Sequence, residues 1–231
     1  MATNALMGLA GLGAVALAAA AFAQGTGPAT PPPPPTPMGT YQPQKMTVFI
    51  TSMGSGDGGN LGGLAGADRI CAERATAVGA PRRTWRAYLS TTAEGAQKGV
   101  DARNRIGSGP WFNARGAEVG RNAGDLHRPG SPINKETAID EHGAYVKGRG
   151  DTPNRHDILT GTTAEGRVAE GLTCSNWTSN SAAKARVGHF DRTGGGAAPN
   201  SWVSAHDSRS CSQPDLQATG GDGLFLCFAA R

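Results

Sequence analysis

Ahead of Lys45 this 231-residue chain carries no charged side chain, so residues 1–23 lack the lysine or arginine that usually opens an export signal. Its four cysteines, Cys71, Cys174, Cys211 and Cys227, include no Cys-x-x-Cys pair, which excludes the paired short spacings of a zinc-finger-type site. Several catalytic signatures are also missing. There is no Gly-x-Ser-x-Gly elbow, no His-Glu-x-x-His, no Gly-x-x-x-x-Gly-Lys phosphate cradle and no EF-hand spacing. No internal repeat is present.

What is there begins with an unbroken small and apolar run, Leu6 to Ala23, closing on Ala21-Phe22-Ala23. That layout reads as a signal peptide over 1–23 with cleavage after Ala23. A membrane helix fits less well, because the run is rich in Ala and Gly, barely spans a bilayer and has no flanking charge to orient it. The mature chain is therefore expected to have no stable membrane span. No cysteine follows the run, so a lipid anchor is not supported. Residues 24–44 include Pro31 to Pro35 and Pro37, a stretch that favours extended polyproline II and reads as a semi-rigid linker. Residues 45–231 form one domain by length. The formal charge of +4 is mildly basic and does not mark a nucleic-acid binder. The 35 glycines imply turns and irregular loops rather than long helices.

An even number of cysteines behind an export signal reads as disulfides in an oxidising compartment, either the exterior or the periplasm and cell envelope. Four cysteines allow three pairings. Pairing Cys71 with Cys227 and Cys174 with Cys211 would tie the first helix to the last strand and staple a loop inside that closure. By loop-closure entropy the two bonds would contribute roughly 5 and roughly 4 kcal/mol.

Lys45–Thr51 reads as the opening strand, and a glycine-rich loop follows from Gly54 to Gly63. Leu64, Ala67, Cys71, Ala75 and Val78 recur at spacings of three and four, one face of a helix that Gly79 and Pro81 stop. Alternation at Trp85, Ala87 and Leu89 predicts a second strand, and Gly109 to Val119 a hairpin turning at Asn113–Gly116. Residues 122–170 are polar, rich in Gly and Pro and without periodicity, and a loop region of that length is usually functional or disordered. The closing run at 224–229 is apolar on both faces, as a central buried strand would be. The sum is a small α+β domain.

The segments Val48–Thr51, Gly59–Asp68 with Cys71, Trp85–Ser90, Pro132–Asn134, Leu159–Thr162, Cys174–Ser179 and Phe225–Phe228 together resemble the bacterial endostatin-like, C-type-lectin-like domains. The likeness covers essentially all of 46–231. It implies short twisted antiparallel strands, one or two helices, a long irregular loop region, a helix–strand disulfide and adjacent termini. It also implies a binding domain more than an enzyme, recognising a glycan or an extracellular or cell-surface protein. The chain departs from the calcium-dependent lectins. Ala198-Pro199-Asn200 lacks the carboxylate of their Glu-Pro-Asn motif, and Asn176-Trp177 reverses their Trp-Asn order. Calcium wants six to eight oxygen ligands, and no matched positions assemble them. No cofactor or metal ligand is therefore assigned.

The densest polar cluster of the long loop contains Arg149, Asp151, Asn154, Arg155, His156 and Asp157. These residues are the candidate binding site, since Arg forks and carboxylates on a shaped loop suit a glycan, peptide or carboxylate. The competing reading is mutual pairing that simply holds the loop. Trp111, flanked by glycine, is the candidate for stacking on a sugar ring, whereas Trp177 and Trp202 are expected in the core. Asp140, Glu141 and His142 are adjacent on a loop, so they converge on one point only if the backbone turns sharply. The expected function is an exported, non-catalytic binding domain that recognises its ligand through 122–170. An enzyme on a lectin-like fold and a structural envelope protein are the alternatives.

Overall fold

The computed structural model describes residues 39–230. The signal peptide and most of the proline-rich stretch lie outside those residues. Residues 39–44, assigned to the linker, hydrogen-bond onto the domain. The Gln42 amide donates to the Ala114 carbonyl at 2.7 Å, and the Tyr41 hydroxyl to the Glu141 carbonyl at 3.1 Å.

The architecture is α+β, with short strands, one long helix and four short helical segments, one of them a 3-10 turn at Ala102–Asn104, among the described residues. Strand β9 (Leu226–Ala230) lies between β1 (Val48–Ile50) and β2 (Thr84–Ala87), antiparallel to both. Both faces of this sheet are buried, because β9 alternates between two cores. Cys227 and Ala229 belong to one core with Phe49, Trp85 and the Ala67, Cys71 and Ala75 face of α1 (Gly63–Ala77). Leu226 and Phe228 belong to the other with Val48, Ile50, Trp111 and Trp202. Burying each large side chain contributes about 1.5–3 kcal/mol, so a strand apolar on both faces is favoured only at such a centre.

Two disulfides are present. Cys71–Cys227 joins α1 to β9 with a Cα separation of 5.6 Å, and Cys174–Cys211 joins the short turn that opens at Cys174 to the chain just ahead of Ser212 at 5.8 Å. α1 is also pinned to β2 by Asp68. Its carboxylate accepts the Ala87 amide at 2.9 Å, Arg86 at 2.7 Å and Arg105 at 2.8 Å.

The hairpin falls where the sequence predicts it, β3 (Trp111–Phe112) against β4 (Glu118–Gly120). Trp111, however, is 1% exposed and packs edge-on against Phe228 at 5.3 Å. Its ring face is thus closed to a sugar, because the strand turns the indole into the core. The long irregular region is ordered as well. It carries α2 (Ala123–His127) and contributes Leu126, Ile133, Ile139 and Val146 to the core at spacings that follow no period.

A second sheet has the order β7 (His206–Asp207), β6 (Arg186–His189), β5 (Asp157–Leu159), β8 (Gly221–Leu224). The expectation of antiparallel strands fails at one place, since β5 and β8 run parallel. A parallel neighbour needs a crossover rather than a hairpin, and α4 (Gln213–Ala218), capped by Ser212, lies in the connection entering β8. The residues from Cys174 to Trp177, α3, form a single left-handed turn with φ between 48° and 67°. Consecutive left-handed residues are costly. The Asn176 side chain offsets the cost by pairing with both the amide and the carbonyl of Thr92, at 2.9 and 3.2 Å.

Candidate metal centre

Strand β5 opens on Asp157, which sits in the interior of the second sheet. Its register partner on β6 is His189, and on its other side it faces Gly221 of β8. The residue is 3% exposed. Neither carboxylate oxygen has a hydrogen-bond donor. An ionised carboxylate buried in this way is costly unless a positive charge is paired with it.

Three imidazoles converge on that carboxylate. The Nε2 atoms of His156, His189 and His206 lie 3.2, 3.2 and 3.4 Å from a single atom, Asp157 Oδ1. The ligand-capable atoms of His156, Asp157 and His189 all fall within 4.8 Å of one another, and all three residues are buried. His206, on the edge strand β7, is the outermost member.

The other ring nitrogens identify which tautomer each histidine holds. His189 Nδ1 lies 3.0 Å from the Pro199 carbonyl, and His206 Nδ1 lies 3.0 Å from the Asp207 carbonyl. A carbonyl oxygen only accepts, so both Nδ1 atoms carry hydrogen and donate. His156 Nδ1 is 3.3 Å from Asp191 Oδ1, again an acceptor. In neutral His189 and His206 the proton is therefore on Nδ1 and Nε2 presents a lone pair to Asp157, whereas His156 lies between two carboxylates, 3.3 Å from Asp191 and 3.2 Å from Asp157, and can donate from either nitrogen. The Asp157 carboxylate thus faces lone pairs with no proton between them, and a cation held by His156, Asp157 and His189 satisfies it. Protonating all three rings is the other way to do so. It would put two imidazoliums face to face in His156 and His189, whose rings stack at 4.1 Å with an interplanar angle of 11°.

The three distances from Asp157 Oδ1 to the imidazole nitrogens suit a small ion. Ligands at about 2.0–2.1 Å from zinc stand roughly 3.3–3.4 Å apart, close to the nitrogen–oxygen distances seen here. Three imidazole nitrogens and a carboxylate suit zinc or a neighbouring transition metal. Calcium is poorly matched, since it wants an all-oxygen shell of six to eight ligands.

Asp191 supports the arrangement. Its Oδ1 accepts from His156 and from the Thr193 amide, and its Oδ2 from the Arg149 amide at 2.7 Å. Burial works against its charge, yet His156 and these amides outweigh burial and hold its pKa down to about 2. Such a carboxylate–histidine pair orients a metal ligand and fixes its tautomer. Asp157 is likewise held ionised. Burial raises its pKa, and positive charge on the imidazole side opposes this: with a proton on Nε2 of His189 or His206 the value falls below the ordinary one, and a bound cation would act in the same sense. His206 moves the opposite way, raised chiefly by Asp157.

Of the residues singled out from sequence, His156 and Asp157 enter the centre. Arg149 touches it only through its backbone amide, and Asn154 accepts the His156 amide at 3.2 Å. Arg155 pairs with Asp222 at 3.1 Å, and Asp151 with Lys135 at 2.6 Å, so both hold the loop from outside. Glu141 accepts the Ser52 amide and hydroxyl, and Asp140 closes its own turn onto the His142 and Ala144 amides. Neither forms a site. His189, Asp191 and His206 were missed. The signal was present, because three of the five histidines have an aspartate one or two residues on: His156-Asp157, His189-Phe190-Asp191 and His206-Asp207. Comparison with known protein families and with curated proteins finds no match to this chain.

Proposed function

We propose that this chain is an exported, non-catalytic, zinc-binding recognition domain, with the lectin-like fold that its resemblance to endostatin-like domains implies. One observation carries the metal reading: the donor atoms of His156, His189 and a buried carboxylate without hydrogen-bond donors, Asp157, lie within 4.8 Å of one another. His156, Asp157 and His189 would hold the ion, with His206 Nε2 beside them at 3.4 Å from Asp157 Oδ1 but outside the group whose donors all lie within 4.8 Å of one another. All four cysteines are paired, as suits an oxidising compartment. No helix among the described residues is long and apolar enough to cross a membrane.

The recognition surface in this reading is the 122–170 region, and its ligand is a glycan or an extracellular protein. That region supplies one wall of a cleft of about 470 Å³, through Leu126–Ser131 and Glu165. The size suits a small ligand or the end of a larger one.

The test is metal content and affinity. Protein refolded or secreted in zinc-containing medium should carry about one zinc per chain and release it to a chelator. Titration of the stripped protein should show one site. His189→Ala should abolish it, with circular dichroism confirming that the variant is folded. A folded parent with no zinc and no titration heat would end the proposal, and so would a His189→Ala variant that loads like the parent.

A further inference from the structure

The cleft and the centre share a segment of chain. β6 ends at His189 and β7 begins at His206, so both ends of the excursion 190–205 carry imidazoles of the centre. The middle of the excursion lies on those rings. Gly194, with φ 134°, packs so closely that a Cβ there would come within 2.8 Å of Cε1 on both His156 and His189. Gly196, with φ 106°, packs on His206 in the same way, at 3.2 Å. The Pro199 carbonyl takes the His189 Nδ1 hydrogen, and the Thr193 amide bonds the Asp191 that orients His156.

The same segment then forms the second wall of the cleft. Ala198, Pro199 and Asn200 face Leu126, Arg128 and Pro129 across it. Just beyond, the chain is held independently of any ion. Trp202 Nε1 donates to the Leu126 carbonyl at 2.7 Å, and the Val203 carbonyl accepts the hydroxyls of Thr160 and Thr162. The wall from 193 to 200 therefore rests on the imidazoles at Gly194 and Pro199 and on the Ala205 carbonyl at Ala198, whereas the floor at 202–203 rests on the core.

We infer that occupancy of the centre controls this cleft: the ion locks the imidazoles, the imidazoles hold 193–200, and that segment closes one side of the recognition site. This rests on the zinc reading of the centre. Without a cation the Asp157 carboxylate faces the His189 and His206 Nε2 lone pairs unscreened, and a ring that turns away withdraws the support from Gly194 and Pro199. Ligand binding in the cleft is then conditional on metal, with no contact between ligand and ion.

Hydrogen exchange on the full mature protein, zinc-loaded and chelator-stripped, tests the coupling, with zinc titration run on the same samples. Peptides covering 192–200 should exchange about tenfold or more faster once stripped, the mark of a local opening. The Ala205 amide, bonded to Val187, and the amides of β9 should change little. Asp157→Asn should remove the zinc-dependent difference. If zinc binds but 192–200 exchanges equally in both states, the coupling is wrong and the metal reading stands. If stripping exposes β1, β2 and β9 as well, the ion holds the whole fold and the local control is wrong. If no zinc binds, both readings fall.

Discussion

Single side chains divide here into those that would hold the ion and those that hold the holders. Asp191 touches no more than His156 Nδ1 and two amides, so Asp191→Asn keeps the ring in place but removes the charge behind it. Loss of such an outer partner costs about 10–100-fold in metal affinity, and loss of the direct ligand in Asp157→Asn should cost more. Competition titration against a zinc indicator gives the order, and an Asp191→Asn variant as tight as the parent would remove Asp191 from the centre. Elsewhere a different histidine is kept neutral. His127 donates from Nδ1 to the Ala123 carbonyl and accepts the Tyr88 hydroxyl on Nε2. Burial lowers its pKa, opposed by the Ala123 bond, with Arg103 lowering and Glu165 raising it more weakly. Burial also raises that of Tyr88 well above the ordinary value. A histidine whose folded pKa is depressed contributes stability that is present above its unfolded value of about 6.5 and lost as pH falls through the folded one. Thermal unfolding from about pH 7.5 to about pH 5.5 should therefore steepen for the parent relative to His127→Gln. Parallel slopes would show that His127 contributes nothing to acid sensitivity.

Secondary elements were largely legible where periodicity is local. Leu64, Ala67, Cys71, Ala75 and Val78 mark one face and α1 occupies Gly63–Ala77, while the hairpin turns at Asn113–Gly116 as its residues suggest. What no local pattern conveys is which strand lies beside which. Asp157 meets His189 through β5–β6 register, and His206 arrives by pairing with Val187, so the third and fourth donors depend on contacts between distant segments. For that reason half of the centre was visible as His156-Asp157 and half was not. Trp111 misled for a related reason: flanking glycines suggest exposure, but the strand's orientation buries it. The α1–β2 junction makes its own prediction. Asp68 neutralises Arg105, whose side chain is only 10% exposed, and caps the Ala87 amide. Asp68→Ala leaves that guanidinium buried and unpaired, which should cost about 3–5 kcal/mol in urea unfolding. A loss below about 1 kcal/mol would mean that Arg105 finds water or another partner.

For the whole molecule, three devices connect distant parts of the chain: one disulfide across the first core, one between loops, and the His/Asp centre in the second sheet. The first two persist without metal, so the centre should add stability rather than decide whether the chain folds. An ion present at about 100 times its dissociation constant adds about 2.7 kcal/mol if it binds only the folded state. For a domain of this size that corresponds to a rise in Tm of roughly 5–10 °C. Calorimetry with and without zinc reads the shift directly, and identical transitions would deny the ion any hold on the fold.

The placement of β9 has a kinetic consequence. Its neighbours β1 and β2 precede it by well over half the chain, and its Cys227 must find a helix formed long before. Pairings so remote in sequence are slow, because much chain entropy is lost before any contact repays it. A newly made polypeptide would thus linger without its central strand, with β1 and β2 waiting for the partner that lies between them. Closure of the Cys71–Cys227 bond would follow that docking.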